Sequence, residues 1–179
     1  MEKYFEVYEK DKIMKVILEF DTMDEGENHT YSKLMAVMEK TKSVYPYRLV
    51  YVERLSEDGR SVAKSELMLS ERSMRMIRKG DIDSDFLYEK GLVHNTTYKT
   101  PYGMLPISIE TSEYEMEILG DLNALDTNIS MMDRHGMNGE AVAIGGFAIN
   151  VRSKYTLSIQ DEEPVAMDVS IKITPLEDN

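Results

Sequence analysis

An all-β, antiparallel barrel of about eight strands is the fold this sequence predicts, and three observations predict it. Apolar residues recur with period two along most of the chain, the pattern of a strand with one buried face. The alternating stretches are short and are separated every ten or so residues by turn-forming residues, the rhythm of a closed or nearly closed antiparallel sheet. Size and composition permit it, because 179 residues that are 42% hydrophobic and 30% charged describe one soluble globular domain with a single core.

The elements follow in chain order. An opening strand covers Ile13 to Phe20, where Met14, Val16, Leu18 and Phe20 alternate with Lys15 and Glu19. Residues 29–41 leave two readings open. Leu34, Val37 and Met38 stand at helical spacing in a Leu-, Met-, Ala-, Glu- and Lys-rich stretch, whereas the surrounding strands favour another strand. In 47–53, Tyr47, Leu49 and Tyr51 share one face and Val50 and Val52 the other, so this strand is covered on both sides or meets a partner. Ser56 to Gly59 has the composition of a tight turn. Residues 61–69 and 73–78 are two further strands, with Leu67 and Leu69 on one face of the first.

Leu105, Ile107 and Ile109 then alternate with polar neighbours, and Tyr114, Met116 and Ile118 alternate with Glu113, Glu115 and Glu117, which places those glutamates outward. Residues 120–146 break the pattern and are punctuated by glycine. An inserted loop is predicted there, or a short helix over Leu122 to Met132. The chain closes on a long hairpin over 147–173. Ile149, Val151, Tyr155, Leu157 and Ile159 line one arm, and Val165, Met167, Val169, Ile171 and Ile173 line the other.

Charge and composition narrow the function. With 33 acidic and 21 basic side chains the net charge is -12. A phosphate backbone needs a positive footprint, so no nucleic-acid partner is expected, and an anionic membrane surface would repel the chain. The absence of cysteine removes disulfides, thiolate nucleophiles and cysteine-based metal sites. Met1 to Lys15 lacks the apolar core of a signal peptide and no stretch is long enough to span a bilayer, so a cytoplasmic protein is expected. No nucleophile elbow, phosphate loop or dinucleotide fingerprint is present, and no catalytic residue or cofactor is assigned. His29, His94 and His135 fall in expected loops without metal-ligand spacing, so no metal is assigned either.

The segment Tyr98-Lys99-Thr100-Pro101-Tyr102-Gly103, followed by an alternating strand and Thr111, resembles the signature of the YwiB-like family of uncharacterised small bacterial proteins. Tyr51 to Glu53, Arg78 with Gly80, and Tyr155-Thr156-Leu157 match further family elements in order. The match covers about residues 10–118 and 147–173. The resemblance implies a calycin-like barrel, akin to lipocalins and streptavidin, forming one domain over 1–179 with an insertion at about 120–146. It also tips residues 32–40 toward strand. Two departures are the absence of a family glycine around Met35 to Met38 and the length of the insertion. No activity attaches to the family, and a fold does not by itself carry one.

The candidate site gathers around two features. Pro101 and Gly103 are structural residues that set an unusual backbone. Tyr98, Thr100 and Tyr102 beside them either pack at a barrel rim or stand at the mouth of a pocket. Arg78 shares the face of Met74 and Met76, so it is an interior or rim arginine that needs a carboxylate, Glu53 or Glu66, or a bound anion. The resemblance adds Glu53 and Tyr155 as ligand-binding candidates and Gly80 as a structural one. The 14 methionines fit an interior that adapts to an apolar ligand or simply fills itself. Two functions stay open. One is a binding module for a small apolar or amphipathic ligand whose anionic head meets Arg78. The other is a filled barrel that acts through its surface, as a homodimer meeting through Val50 and Val52 or the outer side of the 147–173 hairpin.

Overall fold

Ten strands, each antiparallel to its neighbours, form one sheet in the computed structural model, which describes residues 13–120, 122 and 146–176. They are β1 (Ile13–Asp24), β2 (His29–Lys40), β3 (Tyr47–Arg54), β4 (Val62–Leu69), β5 (Ser73–Gly80), β6 (Ser84–Glu89), β7 (Val93–Thr100), β8 (Gly103–Leu119), β9 (Ala148–Ile159) and β10 (Val165–Pro175). Neighbours in the sheet are neighbours in sequence, and β1 also pairs with β10 over Val16–Asp24 and Met167–Pro175. The two ends of the sheet, β6 and β7, therefore face each other. They touch through paired backbone hydrogen bonds between Asp83 and Lys99 (3.0 and 2.9 Å) and through His94 Nε2–H, which donates to the Asp85 carbonyl at 3.0 Å. The barrel is nearly closed, with a seam in place of a full tenth ladder.

The expected count of about eight strands is thus corrected to ten, and the described residues contain no helix. The short helix weighed for Leu122 to Met132 lies outside the described residues apart from Leu122. Residues 29–40 form a strand, because Ala36 and Met38 point into the core while Met35 and Val37 point out. The missing strands are β6 and β7. In β6 the apolar run Phe86-Leu87-Tyr88 masks the inward alternation of Ser84, Phe86 and Tyr88, and the inward positions of β7 are His94, Thr96 and Tyr98, which give no apolar period. The stretches 105–110 and 114–118 are a single strand, β8, with a bulge between Thr111 and Glu113 that absorbs Ser112. One extra residue moves the inward phase from odd to even numbers.

Most of the interior is packed aliphatic side chain. Leu18, Leu49, Leu67, Leu69, Ile149 and Ile173 have no exposed surface, and each such burial is worth about 1.5–3 kcal/mol. The predicted hairpin is present as the β9–β10 ladder, with Ile149 opposite Ile173 and Val151 opposite Ile171. The Ser56 to Gly59 segment makes a β-turn, Gly59 N–H donating to the Ser56 carbonyl at 3.0 Å, within a loop longer than a two-residue hairpin.

Candidate functional site

The interior becomes polar where four strands carry hydrophilic residues at matching heights. Register places Tyr51 of β3 opposite Ser65 of β4, Ser65 opposite Arg78 of β5, and Arg78 opposite Ser84 of β6. Arg78 reaches over β4 to Glu53. Its Nε donates to Glu53 Oε2 at 2.7 Å, its Nη2 to Oε1 at 3.3 Å, and Ser65 Oγ adds a bond to Oε2 at 2.8 Å. The reach is possible because the residues in between are small: Ala63 and Ser65 are fully buried and leave the space above them to the longer side chains. Gly80, opposite Ala63, completes this close packing. Its φ is +142°, and a Cβ there would lie 2.7 Å from the Val62 carbonyl oxygen.

The pair is sheltered but not sealed, with side-chain exposures of 22% for Arg78 and 18% for Glu53. Burial works against the charge on Arg78, but the hydrogen bond and charge of Glu53 outweigh it and hold the guanidinium above its ordinary pKa. Around the pair stand aromatic rings: Phe20 with Tyr51 (6.0 Å), Phe86 stacked on Tyr98 (6.1 Å), and Tyr88 edge-on to Tyr155 (4.9 Å). Burial pushes the hydroxyls of Tyr51, Tyr88 and Tyr155 up, so they remain neutral donors at physiological pH. The buried hydroxyls of Tyr51 and Ser84 have no hydrogen-bond partner among the described residues.

Two neighbouring spaces share the ion pair as part of their walls. A cavity of about 240 Å³ inside the barrel is lined by Phe20, Met76, Phe86, Tyr88 and Tyr155, with Glu53 and Arg78 in its wall. A cleft of about 570 Å³ shares Ser32, Glu53 and Arg78 with it and adds Lys33, Leu34, Arg54 and Tyr98. The combination offers one cation, neutral hydroxyl donors and apolar walls. Such a set can hold an oxyanion or a polar head with an apolar body attached.

The candidates from the sequence divide. Arg78, Glu53 and Tyr155 line the cavity and Tyr98 lines the cleft. Glu66, the other carboxylate weighed for Arg78, instead binds Arg48, whose Nη2 lies 2.9 Å from Glu66 Oε1. Thr100 and Tyr102 sit in the β7–β8 turn. Thr100 Oγ1 donates to the Gly103 carbonyl (3.1 Å) and accepts from Tyr102 N–H (3.1 Å), while the Tyr102 side chain is 99% exposed. Pro101 and Gly103 shape that turn, Gly103 at φ +143°. The glutamates 113, 115 and 117 face solvent. Sequence reasoning did not single out Ser65, Ser84, Phe86 or Tyr88; the alternation Ser84-x-Phe86-x-Tyr88 was the available signal.

Among the described residues no helix is long and apolar enough to cross a membrane, and no group of three or more His, Cys, Asp or Glu side chains gathers as a metal site would require. The family model described as a domain of unknown function (DUF1934) matches residues 14–132. Among solved structures, the crystal structure of ywiB protein from Bacillus subtilis is similar, with a TM-score of 0.66 at 12% identity, covering 92% of this chain and 94% of that chain. At that identity the likeness speaks for the fold alone. No curated protein matches.

Proposed function

Because this chain belongs to the DUF1934 family, described only as a domain of unknown function, we propose its role from the site: it is a binding module that holds a small amphipathic molecule inside the barrel. The apolar part lies among Phe20, Met76, Phe86 and Val169, and the polar end meets Arg78. No residue is assigned a catalytic role. The observation that carries this reading is the cavity of about 240 Å³ with a sheltered arginine and the hydroxyl-bearing Tyr88 and Tyr155 in its wall. Kinship with the calycins is part of the proposal, supported by the sequential up-and-down pairing that brings the first and last described strands together.

Native mass spectrometry of protein purified gently from its own host tests it. An added mass that survives native spraying, vanishes on denaturation and is lost in Arg78→Met is the expected result. An apo mass under every growth condition would remove the proposal. A second reading, the homodimer, is favoured by one observation: Met35, Val37 and Val52 form an exposed apolar stripe, 64%, 42% and 62% accessible, on the outer face of β2 and β3. The same spectrum distinguishes it, since a dimer without added mass would support this second reading.

A further inference from the structure

The cleft beside Arg78 runs through the wall of the barrel. β2 and β3 pair only from Val37–Lys40 to Tyr47–Val50, four residue pairs, whereas β1 and β2 pair over eleven. Beyond Val37 the two strands part, and the inward-phase residue Ser32 is exposed. The cleft is lined both by outward residues of these strands, Lys33 and Arg54, and by inward ones, Leu34 and Glu53. A space touched by both faces of adjacent strands is a slot through the sheet, not a dimple on either side.

The charge of the slot is opposite to that of the molecule. Lys33, Arg54 and Arg78 face a single carboxylate, Glu53, in a chain of net charge -12. Arg78 is committed to Glu53, and Lys33 lies 3.6 Å from Glu19. Arg54 has no ion-pair partner among the described residues. A local cationic patch on an acidic protein concentrates anions at that point and repels them elsewhere.

We propose that the ligand enters sideways through this β2–β3 slot, and that the slot selects an amphiphile with a single-charged oxyanion head, a carboxylate being the simplest. The inference rests on the cavity reading above and adds the route and the head group. Arg54 and Lys33 attract the head at the outer mouth, Arg78 receives it at the inner end, and the apolar tail passes into the aromatic cavity. Glu53 limits the head to one negative charge, because a dianion on Arg78 would lie against a carboxylate already bound there.

Calorimetric titration of the whole chain at low salt with sodium octanoate and, separately, 1-octanol tests both layers. The wild-type protein is expected to bind octanoate more tightly than 1-octanol, and octanoate binding is expected to weaken as salt is added. In stopped-flow mixing followed by tyrosine fluorescence, the double variant Lys33→Gln/Arg54→Gln is expected to take up octanoate on the order of tenfold more slowly while uptake of 1-octanol is unaffected. Both positions are exposed, so folding is preserved, and Lys33→Arg/Arg54→Lys should restore the rate. If the neutralised variant takes up octanoate as fast as wild type, the slot proposal is overturned while the cavity reading stands. If neither compound binds the wild-type protein, this inference falls, and the host-derived mass spectrum decides the cavity reading separately.

Discussion

Glu53 and Arg78 are each other's compensation for leaving water. Removing one leaves the other under-neutralised in a sheltered place, so Glu53→Gln and Arg78→Met should each cost about 2–4 kcal/mol in urea unfolding. The double variant should cost at least about 1 kcal/mol less than the sum, and simple additivity would contradict the pairing. Tyr51 makes the opposite prediction. Its hydroxyl is buried without a partner, so Tyr51→Phe should leave the empty protein as stable as wild type or up to about 1 kcal/mol more stable. A destabilised Tyr51→Phe would mean that the hydroxyl is already satisfied. At this scale the sequence was informative where period two applied. Arg78 shares the phase of Met74 and Met76, and its need for a carboxylate followed from that phase alone. The choice of Glu53 over Glu66 was legible in the same parity: Glu53 shares the phase of Leu49 and Tyr51, while Glu66 is out of phase with Leu67 and Leu69 and faces out beside Arg48.

At the scale of the element, Gly80 is where β5 presses against β4. Gly80 and Gly103 have nearly the same φ, +142° and +143°, yet a Cβ at Gly103 meets nothing within 4 Å while one at Gly80 meets the Val62 carbonyl at 2.7 Å. Alanine at the two sites therefore separates backbone strain from collision. Gly80→Ala should be about 1–3 kcal/mol more destabilising than Gly103→Ala in urea midpoints, and equal losses would contradict the close approach. Strands with an apolar inward face were legible, including the β9–β10 hairpin and the start of β1. Those with a polar or unalternating face were not. The inner side of β7 holds His94, Thr96 and Tyr98 because it faces the seam and the site, and hydropathy cannot report a strand whose buried side is hydrophilic. The phase change inside β8 was visible but read as two strands, since a bulge and a turn both interrupt alternation.

For the whole molecule, the circle of strands closes through β1–β10 and rests on a few contacts at the β6–β7 seam. Arg75 bridges the β5–β6 edge beside it by holding Asp85, and that hydrogen bond keeps the Asp85 carboxyl below its ordinary pKa; Arg152 does the same for Asp168 across β9 and β10. In both cases the folded value lies below the unfolded one. The bonds therefore add stability above the unfolded value, about 4, and lose that contribution as pH falls through the folded value. Urea midpoints should drop as pH falls below about 4, and the drop should shrink in Arg75→Gln/Arg152→Gln; an unchanged drop would assign acid sensitivity elsewhere. The central claim is that the barrel interior beside Arg78 receives a ligand. Its most direct test is a methyl-labelled methionine NMR spectrum of the protein titrated with octanoate, because Met74 and Met76 line the cavity while Met23 and Met104 are exposed at 47% and 66%. A ligand in the cavity should give saturable shifts at Met74 and Met76 with Met23 and Met104 unmoved. Shifts confined to the exposed methionines, or none at the cavity pair, would contradict it.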